Sequence, residues 1–90
     1  MNISADQLQA KLTADLSPFF LQVEDESAAH AGHAGSDGSG QGTHFRVRIG
    51  AKAFDGISRV ARHRLVYDAL QQFNDQGLHA LAIEIVDAPN

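Results

Sequence analysis

Five of the ninety residues are histidine and none is cysteine. Metal chemistry in this chain therefore runs through imidazole or carboxylate, because its own thiolates, disulfides and a thiol nucleophile are all excluded. His30 and His33 lie three residues apart inside residues 27–43, a tract that holds five of the eight glycines and no large apolar side chain. Two imidazoles at that spacing can meet a metal ion, but off a helix the signal is weak and the plainer reading is solvated loop residues. His44 and His79 each open a strand-like run and His63 falls in a helical pattern. For His63 and His79 the plainer reading is a half-buried imidazole bonded to backbone, and for His44 a surface strand residue. No serine or carboxylate forms a nucleophile or acid–base motif with these groups, which argues against an enzyme.

A second chemistry is cationic. Residues 44–64 hold Arg46, Arg48, Lys52, Arg59, Arg62 and Arg64 against the single acid Asp55, in a chain of net charge -4. A basic middle segment suits an anionic partner, while the overall acidity opposes tight general binding of nucleic acid. A solvated face is the competing explanation. Arg59, Arg62 and Arg64 occupy the first two turns of a helical pattern, where the dipole favours anions and each cation costs roughly a few tenths of a kcal/mol. An anion bound at that helix start would offset the cost. Arg62, aimed at the apolar sector, needs such a partner or must extend its head to water.

The elements that position these groups follow from local pattern. Ser4 and Gln7 form a capping box and Ile3 with Leu8 a hydrophobic staple, so a helix begins at about Ala5. Ala5, Leu8, Leu12 and Leu16 make its apolar stripe, and Ser17-Pro18 stops it. Phe19, Leu21 and Val23 alternate with Phe20, Gln22 and Glu24 as a first strand. Phe45, Val47 and Ile49 alternate with His44, Arg46 and Arg48 as a second, and Leu81, Ile83 and Ile85 with Ala80, Ala82 and Glu84 as a third. Gly50 and Phe54-Asp55-Gly56 mark a turn region. Ser58 caps a second helix whose apolar positions run from Ala61 through Leu65, Val66, Ala69 and Leu70 to Phe73, with Asn74 to Gly77 ending it.

The order α, β, β, α, β predicts one α+β domain over residues 1–90. Its two helices lie on one face of a three-stranded mixed sheet, and a helical crossover makes the second and third strands parallel. Residues 28–42 are expected to be poorly ordered, since a Gly and Ser tract without an apolar anchor cannot offset its ordering entropy. No apolar run approaches the ~20 residues of a membrane span. The first residues show neither a basic cluster nor an apolar core, so the expected location is the cytoplasm.

Phe54-Asp55-Gly56, Arg62-His63-Arg64-Leu65-Val66-Tyr67 and Leu78-His79-Ala80-Leu81-Ala82 together resemble the BolA family. Glu24-Asp25-Glu26-Ser27 before the Gly-rich tract and Thr43-His44-Phe45-Arg46-Val47 after it extend the resemblance over nearly the whole chain. It implies a class II KH-like fold, in agreement with the αββαβ order. It also implies a monothiol glutaredoxin partner and a shared [2Fe-2S] cluster held by a glutaredoxin cysteine, a glutathione thiol and ligands from this chain, with no cluster on the isolated chain. By position His79 matches the family's C-terminal ligand and His30 its loop ligand. His63 matches the central Arg-His-Arg histidine, a structural or partner-facing group. The tract is longer and richer in glycine than the family's pattern, so His33 can stand in place of His30.

The role so implied is iron–sulfur cluster transfer or iron and redox regulation by a free chain that is monomeric or weakly dimeric. The competing reading is a DNA-binding transcriptional regulator of stress and morphology genes, acting through Arg46, Arg48, Lys52, Arg59, Arg62, His63 and Arg64. The acidic flanks and the lack of stacking aromatics on the outward face of the second strand predict weak, non-specific DNA affinity.

Overall fold

Ser4 starts the first helix as its spacing requires: its hydroxyl accepts from the Gln7 N–H at 3.2 Å while Gln7 Oε1 accepts from the Ser4 N–H at 2.8 Å. In this computed structural model, which describes residues 3–26, 44–78 and 80–87, the helix α1 spans Ala5–Leu16. Ile3 and Leu8 are both buried, as a staple demands. Ser17 closes the helix in the left-handed region (φ 45°), its N–H donating to Thr13 O at 3.1 Å. The Gly-rich tract, with His30, His33 and the expected disorder of residues 28–42, lies outside the described residues, as does His79.

Strand β1 (Phe20–Asp25) pairs antiparallel with β2 (His44–Gly50), and β2 pairs parallel with β3 (Ala80–Ile85), so β2 is central. Residues directly opposite one another share a face. Leu21, Ile49 and Ile85 form one such row and Val23, Val47 and Ile83 the next, with Phe45 beside Leu81. This greasy face packs against both helices: Phe45, Val47 and Ile49 join Ile3, Leu8, Leu12, Val66, Ala69, Leu70 and Phe73 in one buried cluster. Each large side chain so buried contributes about 1.5–3 kcal/mol. The second helix, α2, spans Arg59–Ala69, with the Ser58 hydroxyl accepting from the Ala61 N–H at 3.1 Å. It supplies the crossover that makes β2 and β3 parallel.

The helical pattern runs to Phe73, but the α-helix itself ends earlier. At Leu70 the N–H is shared between the carbonyls of Val66 and Tyr67, and the chain tightens into a 3-10 turn, Gln71–Gln76, before Gly77 reverses it at φ 110°. Three residues per turn rotate Phe73 back into the core, where it is 4% exposed. A second 3-10 turn, Lys52–Phe54, follows β2 and buries Phe54. Among the described residues no helix is long and apolar enough to cross a membrane.

Gly50 closes β2 where three segments crowd. A Cβ there would sit 2.6 Å from the Phe19 ring and 2.7 Å from the Val86 carbonyl oxygen. The ring can swing, but Val86 is tied to the sheet by its N–H to Ile49 O. Gly50→Ala is therefore expected to cost on the order of 1–3 kcal/mol, read as a lowered urea midpoint; an unchanged midpoint would show that the crowding relaxes freely.

Candidate functional site

Three chain segments meet at one end of the sheet. The Glu26 N–H donates to His44 O at 2.8 Å, and His44 is the Cα partner of Ala80 across the parallel pair. Glu26 and His44 stand close to either end of residues 27–43, and Ala80 follows His79. The segments that bear His30, His33 and His79 are thus anchored to the fold at the same end. A groove of about 250 Å³ opens there, lined by Glu26, His44, Phe45, Arg46 and the start of β3. His44 is 9% exposed, so it is a buried residue rather than the surface strand residue suggested by alternation. Among the described residues no three histidine, aspartate or glutamate groups stand close enough to hold a metal ion. A metal at this end has to draw on the remaining histidines or on a partner.

The face of the sheet turned away from the helices carries a charge lattice. Register places Gln22, Arg48 and Glu84 in one row and Glu24, Arg46 and Ala82 in the next. Arg46 reaches Glu26 and Glu84, both at 3.0 Å, while Arg48 reaches Glu84 at 3.2 Å, Gln22 at 3.3 Å and Glu24 at 4.0 Å. Hydrogen bonds to Glu26, and then to Glu84, raise the Arg46 guanidinium above its ordinary value. Hydrogen bonds from Arg46, and then from Arg48, hold the Glu84 carboxyl below its usual 4.5.

A carboxylate with a lowered folded-state value stabilises the fold above its ordinary value, and that stabilisation is lost as the pH falls through the lowered one. Glu84→Gln is accordingly expected to lower the urea midpoint modestly at pH 7, because the pairs are half-exposed and screened. The gap between the two proteins should narrow in acid below the ordinary carboxylate value. A gap that stays constant through that range would show that charge at position 84 is immaterial.

The seven residues grouped in sequence as one anion-binding set are divided by the fold. Arg46 and Arg48 belong to the lattice. Lys52 lies at a corner with Ser17, Phe19 and Asp55. Arg59, Arg62, His63 and Arg64 belong to α2, in the other layer. Arg62 finds its partner within the chain, its Nε donating to the Ile57 carbonyl at 3.1 Å, so no bound anion is needed to satisfy it. Among the described residues the side chains of Arg59, His63 and Arg64 make no ion pair or hydrogen bond. Glu24, Glu26, Glu84 and Gln22 were missed as partners. Their period-two phase, which puts Glu24 and Glu84 on the same face as Arg46 and Arg48 once the strand order is known, is the signal that finds them.

A family model described as BolA-like protein matches residues 12–88. Protein BOLA1, chloroplastic, of Arabidopsis thaliana is 49% identical over 80 residues, covering 88% of this chain and 50% of that protein. SufE-like protein 1, chloroplastic/mitochondrial, of the same plant is 51% identical over 80 residues, covering 86% of this chain but only 22% of the relative. The chain thus spans half or less of the length of these two relatives. The solved structure of BolA1 from Arabidopsis thaliana superimposes with a TM-score of 0.82 at 43% identity, covering 99% of both chains. The organelles named for the two relatives overturn the cytoplasmic location expected from the first residues. Half or more of each relative lies outside the matched stretch. With the αββαβ order, the mixed sheet and a family match running from α1 past β3, the chain belongs to the BolA-like family.

Proposed function

We propose that this chain partners a monothiol glutaredoxin and shares a [2Fe-2S] cluster with it, for iron–sulfur cluster transfer or iron and redox regulation. The observation that carries the reading is the meeting of Glu26, His44 and Ala80 at one end of the sheet. A histidine ahead of β3 and histidines on the β1–β2 connection then start from neighbouring anchors. In this reading His79 supplies one imidazole and His30 or His33 the other, while a glutaredoxin cysteine and a glutathione thiol supply the sulfur that the chain lacks. A homologous BolA domain within SufE-like protein 1 supports iron–sulfur-related work. Histidine in place of thiolate raises the potential of such clusters, and a weaker hold suits a cluster that is to be passed on.

The test mixes the chain with a monothiol glutaredoxin, ferrous iron, sulfide and glutathione, then records the visible spectrum and the mass of the complex. A coloured complex containing both proteins, formed only when glutathione is present, is the expected result. A colourless mixture, or colour confined to glutaredoxin alone, would overturn the reading. The competing DNA-binding reading loses weight because Arg46 and Arg48 already hold Glu24, Glu26 and Glu84. Tight, sequence-dependent DNA retention by the chain alone at physiological salt would restore it.

A further inference from the structure

β3 is an edge strand, and among the described residues no strand pairs with its outer side. The Val86 N–H donates to Ile49 O. By the alternation of a parallel pair, even-numbered residues of β3 therefore turn their backbone groups toward β2, and Leu81, Ile83 and Ile85 turn theirs outward. The Leu81 carbonyl accepts from the Tyr67 hydroxyl at 3.4 Å. No such bond covers the outward groups of Ile83 and Ile85 among the described residues.

Exposed edges are usually blunted by charge, proline or a bulge. β1, the opposite edge, follows that rule, with Pro18 ahead of it and Glu24 and Asp25 near its end. β3 reads Ala-Leu-Ala-Ile-Glu-Ile, and its single charge, Glu84, is held on the open face by Arg46 and Arg48. Beside this edge runs a groove of about 360 Å³ lined by Arg59, Arg62, His63, Ile83, Ile85 and Asp87. It shares Arg59 and His63 with a shallow apolar depression holding Val60 and Tyr67, which are 63% and 50% exposed. The fold thus neutralises the cations on the open sheet face and leaves Arg59, in the groove beside the bare edge, and Arg64, in the adjoining depression on α2, without an acidic partner among the described residues.

We propose that the outer edge of β3 is a docking site for an extended acidic segment of another protein. The segment adds as a further strand, its carboxylates meeting Arg59 and Arg64 and its apolar side chains covering Ile83, Ile85 and Val60. Polypeptide suits the site better than single-stranded nucleic acid. The outward groups offer donors and acceptors at strand spacing, and the floor formed by Ile83 and Ile85 is aliphatic. Strand addition here needs no metal, so it stands or falls apart from the cluster reading.

The probe is a peptide of alternating valine and glutamate, as long as β3, titrated into the isotope-labelled full chain and followed by amide NMR. Shifts centred on Ile83 and Ile85 are expected. Binding should weaken about tenfold when lysine replaces glutamate in the peptide, and likewise in Arg59→Glu. That variant should fold normally, because Arg59 is exposed in the first turn of α2, where a carboxylate is favourable. Two N-methylated peptides, blocked at odd or at even amides, separate strand addition from charge attraction, since one should fail and the other bind. Equal behaviour of those two peptides, indifference to Arg59→Glu, or tighter binding of oligothymidylate at the same amides would overturn the proposal.

Discussion

Replacement of His79 by alanine is expected to abolish the histidine-ligated cluster formed with glutaredoxin while leaving the fold intact. The strand it precedes begins at Ala80, and the apolar contacts of that strand come from Leu81, Ile83 and Ile85. Removing a ligand outright costs more than the roughly 10–100-fold lost when only an outer partner of a ligand is removed. His30→Ala should weaken the cluster and the His30→Ala, His33→Ala pair should lose the second ligand, because His33 can take over from His30. The visible spectrum and the mass of the complex report ligation, and circular dichroism reports the fold. A cluster spectrum unchanged in His79→Ala would sink the assignment.

The largest loss of stability is expected from Phe45→Ala. Phe45 is 2% exposed on the central strand, packed in the cluster that joins both helices to the sheet, and it stands next to His44 at the candidate site. Emptying such a position costs about 3–5 kcal/mol, a large share of the roughly 5–15 kcal/mol that holds a domain folded. At about 4–8 °C per kcal/mol for a chain of this size, the melting temperature should fall steeply. Phe45→Leu, which keeps most of the buried apolar volume, should lose far less. Phe20, on the opposite face and 42% exposed, supplies the control. Equal destabilisation by Phe20→Ala and Phe45→Ala in urea unfolding would mean that the greasy face is not where the stability resides.

What the sequence made legible was short in range. The capping box, the staple, the stop at Ser17-Pro18 and the three period-two strands each rest on residues a few positions apart, and all stand in the structure. The parallel pairing of β2 and β3 followed from one helix between them. Long-range pairing was not legible: Arg46 finds its acids 20 and 38 positions away and Arg48 finds Glu84 at 36, so six cations close in sequence looked like one basic surface. Arg62 looked unsatisfied because its partner is a backbone carbonyl, which no side-chain pattern reveals. The burial of His44 escaped for a related reason, since alternation tells which face a residue is on and not what lies over it. At the site, the sequence told which residues could ligate, and the sheet register added which anchors neighbour one another.

The lattice on the open face also bears on how the domain responds to heat. Half-exposed pairs of this kind contribute little at room temperature, and here Glu84 serves Arg46 and Arg48 together, so three side chains are ordered for two contacts. On warming, hydration of charged groups becomes less favourable, so the penalty for drawing them together shrinks, while the gain from apolar burial levels off. The relative weight of the two faces of the sheet therefore shifts with temperature. Near melting, the face that no helix covers takes a growing share in keeping β1, β2 and β3 side by side.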